Sequence, residues 1–282
     1  MKIDLHTHST VSDGTEPPSG VAAAAAAAGL DAFALTDHDS TAGWDECAEA
    51  SRRLGLIFVP GMEISCRTTE GISVHVLSYL HDPGNQALRA ETDRTRESRM
   101  IRAERMVERL AEDFPITWQH VAKHVTPGAS VGRPHIADAL VTAGIVTDRS
   151  EAFTEILTPR SRYFVSHYAP NPADAVALVR AAGGVPVFAH PVAHQRGRVV
   201  GTHTFSEMID AGLLGLEVEH RDNPAEGRQW LRDLAVEHDL LTTGSSDYHG
   251  AGKSNRLGEF LTSARTLERI EELASGAAVV RP

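Results

Sequence analysis

Fifteen histidines occur among the 282 residues, and the informative ones stand in short motifs with carboxylates. His6 and His8 are followed by Ser12-Asp13-Gly14. Further along come Thr36-Asp37-His38-Asp39, Gly61-Met62-Glu63, His75, Ala189-His190-Pro191, Glu217-Val218-Glu219-His220 and Ser246-Asp247-Tyr248-His249. Residues two apart on an extended chain point to the same side, so His6 with His8, and Asp247 with His249, can chelate one ion or serve two neighbouring ones. Imidazoles and carboxylates without thiolates are a donor set for divalent cations. A rim of such groups buried without cations would carry a penalty for each unpaired member, and bound metal removes it. His81, His120, His124, His194, His203 and His238 fall outside these motifs and read as structural.

These residues need a frame that brings them together. Short apolar runs predict strands over residues 2–6, 32–36, 56–61, 73–79, 185–189, 215–218 and 241–244. Helical patterns lie between them, over 17–28, 41–54, 171–182, 223–238 and 266–274. Thr15 is the expected N-cap of the first, whose run Ala22 to Ala28 uses the residue of highest helix propensity and suits close packing on a sheet. Strand–helix alternation implies parallel strands covered by helices, and seven of them suggest an α/β barrel rather than an open sheet. Nearly every predicted strand carries a His, Asp or Glu at or just past its C-terminal end, where ligands bind in such folds.

The alternation breaks between residues 85 and 170. A long helix is expected over 85–114, with Ala103, Val107, Leu110 and Phe114 on one face, then shorter helices over 134–143 and 149–157. The segment holds 12 Lys or Arg against 11 Asp or Glu, so the rest of the chain carries all the net acidity. It reads as a helical cap inserted into a barrel formed by residues 1–84 and 171–282. Most of its arginines are expected on a solvated face, paired with Glu97, Glu104 and Glu108.

Taken together, His6-x-His8 with Asp13, Thr36-Asp37-His38, Gly61-x-Glu63, His75, Ala189-His190-Pro191 and Ser246-Asp247-x-His249 closely resemble the polymerase-and-histidinol-phosphatase (PHP) superfamily of metal-dependent phosphoesterases. The resemblance runs from residue 3 to about 258, the insertion excepted. It implies a distorted (β/α)7 barrel with a helical cap between the fourth and fifth strands and two or three divalent ions, Mn²⁺, Fe²⁺ or Zn²⁺. Carried over by position, one ion takes His6, His8, Glu63 and Asp247; a second shares Glu63 with His75 and His190; a third takes Asp13, His38 and His249. Many members have His where this chain has Asp13, and a carboxylate there favours Mn or Fe over Zn. Gly132-Arg133-Pro134-His135 resembles the stand-alone branch that acts on nucleoside 3′,5′-bisphosphates or the 5′ ends of RNA, which implies phosphate binding by Arg133 and His135. Where that branch has Gly-Lys-Pro, this chain has Arg160-Ser161-Arg162, and either arginine, or Lys253, is a candidate substitute.

The expected activity is hydrolysis of a phosphate monoester of a nucleotide or a short oligoribonucleotide, by a hydroxide bridging two ions, with no catalytic residue outside the ligand set. The alternatives are a histidinol-phosphate or other small-metabolite phosphatase, and a non-catalytic module that binds metal or phosphate. A formal net charge of −11 argues against wrapping duplex DNA. No apolar run is long enough to span a bilayer, no leader is evident, and no polymerase sequence follows, so no membrane or polymerase association is expected. Two cysteines, Cys47 and Cys66, are too few for a disulfide framework and suit a reducing cytoplasm.

Overall fold

The computed structural model describes all 282 residues. Seven strands, β1 (Ile3–Asp4), β2 (Ala32–Leu35), β3 (Ile57–Arg67), β4 (Ser73–Tyr79), β5 (Val185–Phe188), β6 (Gly215–Glu219) and β7 (Leu241–Gly244), pair in chain order. The sheet curls back on itself. A parallel bridge between Thr7 and Tyr248 and an antiparallel one between Ile3 and Thr262 join its two ends. The result is a nearly closed seven-stranded barrel surrounded by helices.

The strands are not all parallel, contrary to the expectation from the alternation. β4 runs antiparallel to both β3 and β5, while the remaining pairs are parallel. The reason is length. β3 continues to Arg67, six residues past its expected end, and only residues 68–72 separate it from β4. A parallel return needs a crossover of a dozen residues or more, so the chain closes a hairpin instead. Gly71 takes a φ of +78° in that turn, and its N–H donates to the Thr68 carbonyl. Reversal places the N-terminal part of β4, with His75, at the rim that the parallel strands reach with their C-terminal ends.

Barrel interior and flanking layers follow from the apolar patterning. Ile3, Leu5, Ala32, Ala34, Val59, Leu77, Tyr79, Val185 and Val187 fill the barrel. Helix α1 (Pro18–Ala27) buries Val21, Ala22 and Ala25 against α2 (Trp44–Leu54), whose Cys47, Ala48 and Ala50 are equally small. The N-cap position of α1 is Pro17, with Pro18 first in the helix, so Thr15 is not its cap. The Thr15 hydroxyl instead accepts from Ala251 N at 2.8 Å, tying the first loop to the one after His249.

The inserted segment has an apolar core of its own. α3 (Gln86–Leu110) is capped by Asn85, whose side chain accepts from Leu88 N at 3.1 Å. With α4 (Trp118–Ala122), α5 (Arg133–Thr142) and α6 (Arg149–Glu151), which runs on into a π-turn over Ala152–Ile156, it encloses Ala103, Met106, Leu110, Ile136, Leu140 and Leu157. Leu88, at the other end of α3, packs into the barrel-side core. The chain then returns through α7 (Pro172–Ala181), α8 (Thr202–Asp210), α9 (Ala225–Glu237) and α10 (Ala264–Leu273). α4 and α8 were not legible as helices: the first is five residues long, and the second shows little apolar pattern beyond Phe205 and Met208.

Candidate metal centre

All nine motif residues meet at one rim. His6, His8, Glu63 and Asp247 come first, each almost wholly buried. His6 Nε2 lies 3.0 Å from His8 Nε2, 3.3 Å from Glu63 Oε2 and 3.4 Å from Asp247 Oδ1. His8 Nε2 lies 3.1 Å from the same Glu63 oxygen and 3.3 Å from the same Asp247 oxygen. A divalent ion with ligands at about 2.1 Å holds neighbouring donors roughly 3.0–3.4 Å apart, so these four atoms already have coordination spacing.

The other oxygen of Glu63 faces elsewhere. Oε1 is 2.7 Å from His75 Nδ1 and 3.2 Å from His190 Nε2. Asp13 stands 3.2 Å from His249 Nε2, 3.7 Å from His8 Nδ1 and 3.8 Å from His38 Nε2. His38 is shared, since its Nδ1 lies 3.2 Å from Glu63 Oε2. The Nδ1 atoms of His38 and His75 and the Nε2 atoms of His220 and His249 are buried with no hydrogen-bond partner. Close N···O approaches out of line for a hydrogen bond are what a shared cation produces, so the donor set fits divalent metal.

Backbone shape aims these groups. Asp39, His190 and Asp247 have φ of 54°, 31° and 55°, a region costly for any residue with a Cβ, and each lies just past the end of a strand. Gly14 lets the Asp13 loop press on the first strand's extension, because a Cβ there would stand 2.4 Å from the His8 carbonyl oxygen.

Carboxylates behind the rim lock it. Glu217 accepts from His6 Nδ1 at 2.8 Å, from His190 N at 2.7 Å and from the Ser245 hydroxyl. Asp37 accepts from Ser9 N, Ser9 Oγ and Ser12 Oγ. Asp4 accepts from Ser246 N and Gly258 N, and burial nonetheless pushes its pKa up to about 6. Burial opposes protonation of His8, but Asp247 and Glu63 outweigh it and raise that imidazole to about 9. Burial likewise opposes ionisation of Glu217, but His6 and His220 bring it down to about 2. His190 and His249 go the other way, to about 3 and about 4, through burial and then the nearby Arg196 and Lys253 respectively.

Those two cations are part of the site. Arg196 and Lys253 both donate to Asp247 Oδ2, Lys253 at 2.9 Å, leaving Oδ1 for the cluster. Lys253 is therefore tied to the rim. Glu217 and His220 stand in a motif of the sequence that carried no assigned role, and Arg196 was not singled out at all. The signal for Glu217 was present, since an acid in the middle of β6 can only point inward or outward and its neighbours Leu216 and Val218 are apolar. No local pattern marks Arg196, which sits in a short 3₁₀ turn.

Arg133 and His135 stand in the inserted segment, His135 close enough to Asp13 to feel its charge. Arg133 is the first residue of α5, with Gly132 as N-cap. Its Nη1 donates to the Leu157 carbonyl at 3.0 Å, and Phe153 and Phe164 flank the guanidinium. The helix sets its exit direction, and its nearest charged neighbours are other arginines. His135 Nδ1 accepts from Gly132 N at 3.0 Å, and burial holds the ring's pKa down against the pull of Asp13 and Asp138. Arg162 pairs with Asp113 on the surface, and Arg160 is exposed without an ion pair.

A barrel whose rim gathers buried imidazoles and carboxylates, with carboxylates fixing their orientation, defines a metal-dependent hydrolase. The model of the PHP domain matches residues 4–123. A 3′,5′-nucleoside bisphosphate phosphatase of Chromobacterium violaceum is 34% identical over 255 residues, 90% of this chain and 89% of that one. A 5′-3′ exoribonuclease of Haemophilus influenzae is 31% identical over 251 residues, 88% of this chain and 90% of that one. Among solved structures, a protein of Bifidobacterium adolescentis assigned as a metal-dependent phosphoesterase superposes with a TM-score of 0.94 at 45% identity, across 97% of this chain and 96% of that one. The chain belongs to the PHP family and is a metal-dependent phosphoesterase.

Proposed function

We propose that the protein hydrolyses a phosphate monoester of a nucleotide, a nucleoside 3′,5′-bisphosphate or the 5′ end of a short RNA, using two or three divalent ions. The observation that carries the metal assignment is the division of Glu63. One oxygen faces His6 and His8, the other His75 and His190. Glu63 would thus bridge one ion held with His6, His8 and Asp247 and a second held with His75 and His190. Asp13, His38 and His249 would hold a third. Asp13, in place of a histidine, makes that position harder than an all-histidine set and suits Mn²⁺ or Fe²⁺.

Bound there, divalent ions supply a water of lowered pKa and positive charge for the phosphoryl oxygens. The chain does the rest. Glu217 keeps the His6 proton on Nδ1 and its lone pair on Nε2. Arg196 and Lys253 add positive charge beside Asp247, where a phosphate would enter. The inserted segment touches the rim loops, Arg149 donating to the Asp13 carbonyl and Ser130 N to the Val11 carbonyl. Nucleotide preference is supported by the relatives, whose names place their chemistry on a nucleoside bisphosphate and on RNA. The two free, buried cysteines suit a cytoplasmic setting.

A phosphate-release screen with Mn²⁺ tests the reading, across nucleoside bisphosphates, mononucleotides, short 5′-phosphorylated RNAs and histidinol phosphate. The nucleotide substrates should lead. A kcat/KM on histidinol phosphate equal to that on adenosine 3′,5′-bisphosphate would remove the nucleotide assignment and leave the phosphoesterase.

A further inference from the structure

Asp13 and His249 stand on loops from opposite ends of the chain, and those loops are tied to each other. Thr15 N donates to the His249 carbonyl at 3.2 Å, and Ala251 N donates to the Thr15 hydroxyl at 2.8 Å. A further tie comes from the inserted segment. Arg149, the first residue of α6, donates through Nη1 to the Asp13 carbonyl at 3.2 Å. Its Nε and Nη2 donate to the two oxygens of Asp138 on α5, each at 2.6 Å. Gly252 packs against the same guanidinium, and a Cβ there would overlap Nη1.

The guanidinium is planar, so a carboxylate gripping its Nε and Nη2 edge also fixes where Nη1 points. Burial opposes the charge on Arg149, but Asp138 and then Asp13 outweigh it and raise its pKa. Asp138 does a second thing. A bare guanidinium beside a divalent ion would repel it, and the paired carboxylate neutralises that charge while leaving Nη1 free to bond Asp13. Both donors of the third metal position are set by their backbones. Only two rotatable bonds separate the Asp13 carboxylate from its main chain, so its oxygens follow its carbonyl. His249 Nδ1 donates to the Asp247 carbonyl at 2.8 Å, so its Nε2 lone pair faces Asp13 Oδ1 at 3.2 Å. Two acceptors at that distance repel unless a cation lies between them.

We propose that Arg149 is a positioning residue for the third metal position. It holds the Asp13 loop and the Gly252 loop at the separation that an ion spans, and so couples that ion to the seating of the inserted segment on the barrel. The inference rests on the proposed third ion, held by Asp13, His38 and His249. Coupling is reciprocal: the factor that the contact adds to metal affinity is the factor that metal adds to the docking of α5 and α6.

Mn²⁺ titration of the full-length protein, first stripped with chelator, tests this. Asp13→Ala should abolish or strongly weaken one binding step and so identify the third position. Arg149→Met should weaken that same step by roughly 10-fold or more, the size expected for a partner that orients a ligand, and leave the other steps within about twofold. Arg149→Lys keeps the charge and loses the fork, so it should bind like Arg149→Met. Added to Asp13→Ala, Arg149→Met should weaken nothing further, because the ligand it positions is gone. Amide exchange over residues 133–151 should slow on Mn²⁺ saturation in wild type by about 10-fold more than in Arg149→Met. If every Mn²⁺ step is unchanged in Asp13→Ala, there is no third ion and the inference falls with it. If Asp13→Ala loses a step and Arg149→Met changes none, the ion stands and the positioning role is overturned. Wild-type binding in Arg149→Lys overturns it too, as does equal weakening of all steps with a lower melting temperature in chelator, the mark of a residue that only holds the fold.

Discussion

The Glu217 carboxylate lies 2.8 Å from His6 Nδ1, both groups fully buried, and this contact decides how His6 presents itself. An ionised carboxylate can only accept, so Nδ1 carries the proton and the Nε2 lone pair faces Glu63 and Asp247. Glu217→Gln keeps the shape and removes the charge. Metal affinity should fall about 10- to 100-fold, read by titration against a competing chelator. An unchanged affinity would reduce Glu217 to a packing role.

Glu63 is the most connected group at the rim, with both oxygens committed. Glu63→Gln should lower the metal content per chain and depress phosphate release by at least about 10²-fold, because a bridging donor is lost from two positions at once. Elemental analysis and a phosphate assay on the same preparation check it. Full activity in this variant would be incompatible with the bridging assignment.

Arg133 is buried beside Arg99 and Arg67, and its Nη1 donates to the Leu157 carbonyl. Arg133→Ala should therefore raise KM for a bisphosphate by about 10-fold with little change in kcat, since it removes binding common to ground and transition states. Metal content should stay as in wild type. A fall of roughly 10² in kcat would instead place Arg133 on the reacting phosphoryl group.

His81 offers a pH test at a histidine outside the ligand set. It is buried, its Nδ1 is 2.7 Å from Ser78 Oγ, and burial lowers its pKa to about 4, against partial opposition from Ser78 and Asp82. In the unfolded chain the ring titrates near 6.5, so between pH 6.5 and 4 the unfolded state binds the proton and the folded state does not. Stability should fall as pH drops through that window, by up to roughly 3 kcal/mol. His81→Gln should flatten this part of the profile in urea melts of chelated protein. Parallel wild-type and variant profiles would show that another group is responsible.

Adding Mn²⁺ to the chelated protein should raise its melting temperature, by the equivalent of about 2.7 kcal/mol when free metal is 100 times Kd. Glu63→Gln should show a smaller rise at the same concentration. Wild-type melting that ignores Mn²⁺ would contradict a metal site formed by the folded rim.

Much of this protein was readable along the chain, because the donors are local. His6-x-His8 and Asp247-x-His249 need only an extended backbone to point together, and strand ends in an α/β repeat lead to one rim. Apolar periodicity and glycine stops marked the barrel strands and the long helix α3. What the sequence could not determine depends on partners distant in the chain. β4 is reversed because β3 runs on to Arg67, and strand length is set by pairing, not composition. Glu217 became the partner of His6 across 211 residues, and Arg196 reached Asp247 across 51. The arginines of α3 show the limit most plainly. A charged residue on a helix reads as solvated unless something covers that face, and only the docking of α5 and the β3 hairpin over Arg99 and Arg102 turns them inward. Burial and electrostatic field are properties of the assembled molecule, so tertiary structure alone could decide that these arginines form a cluster instead of an exposed face.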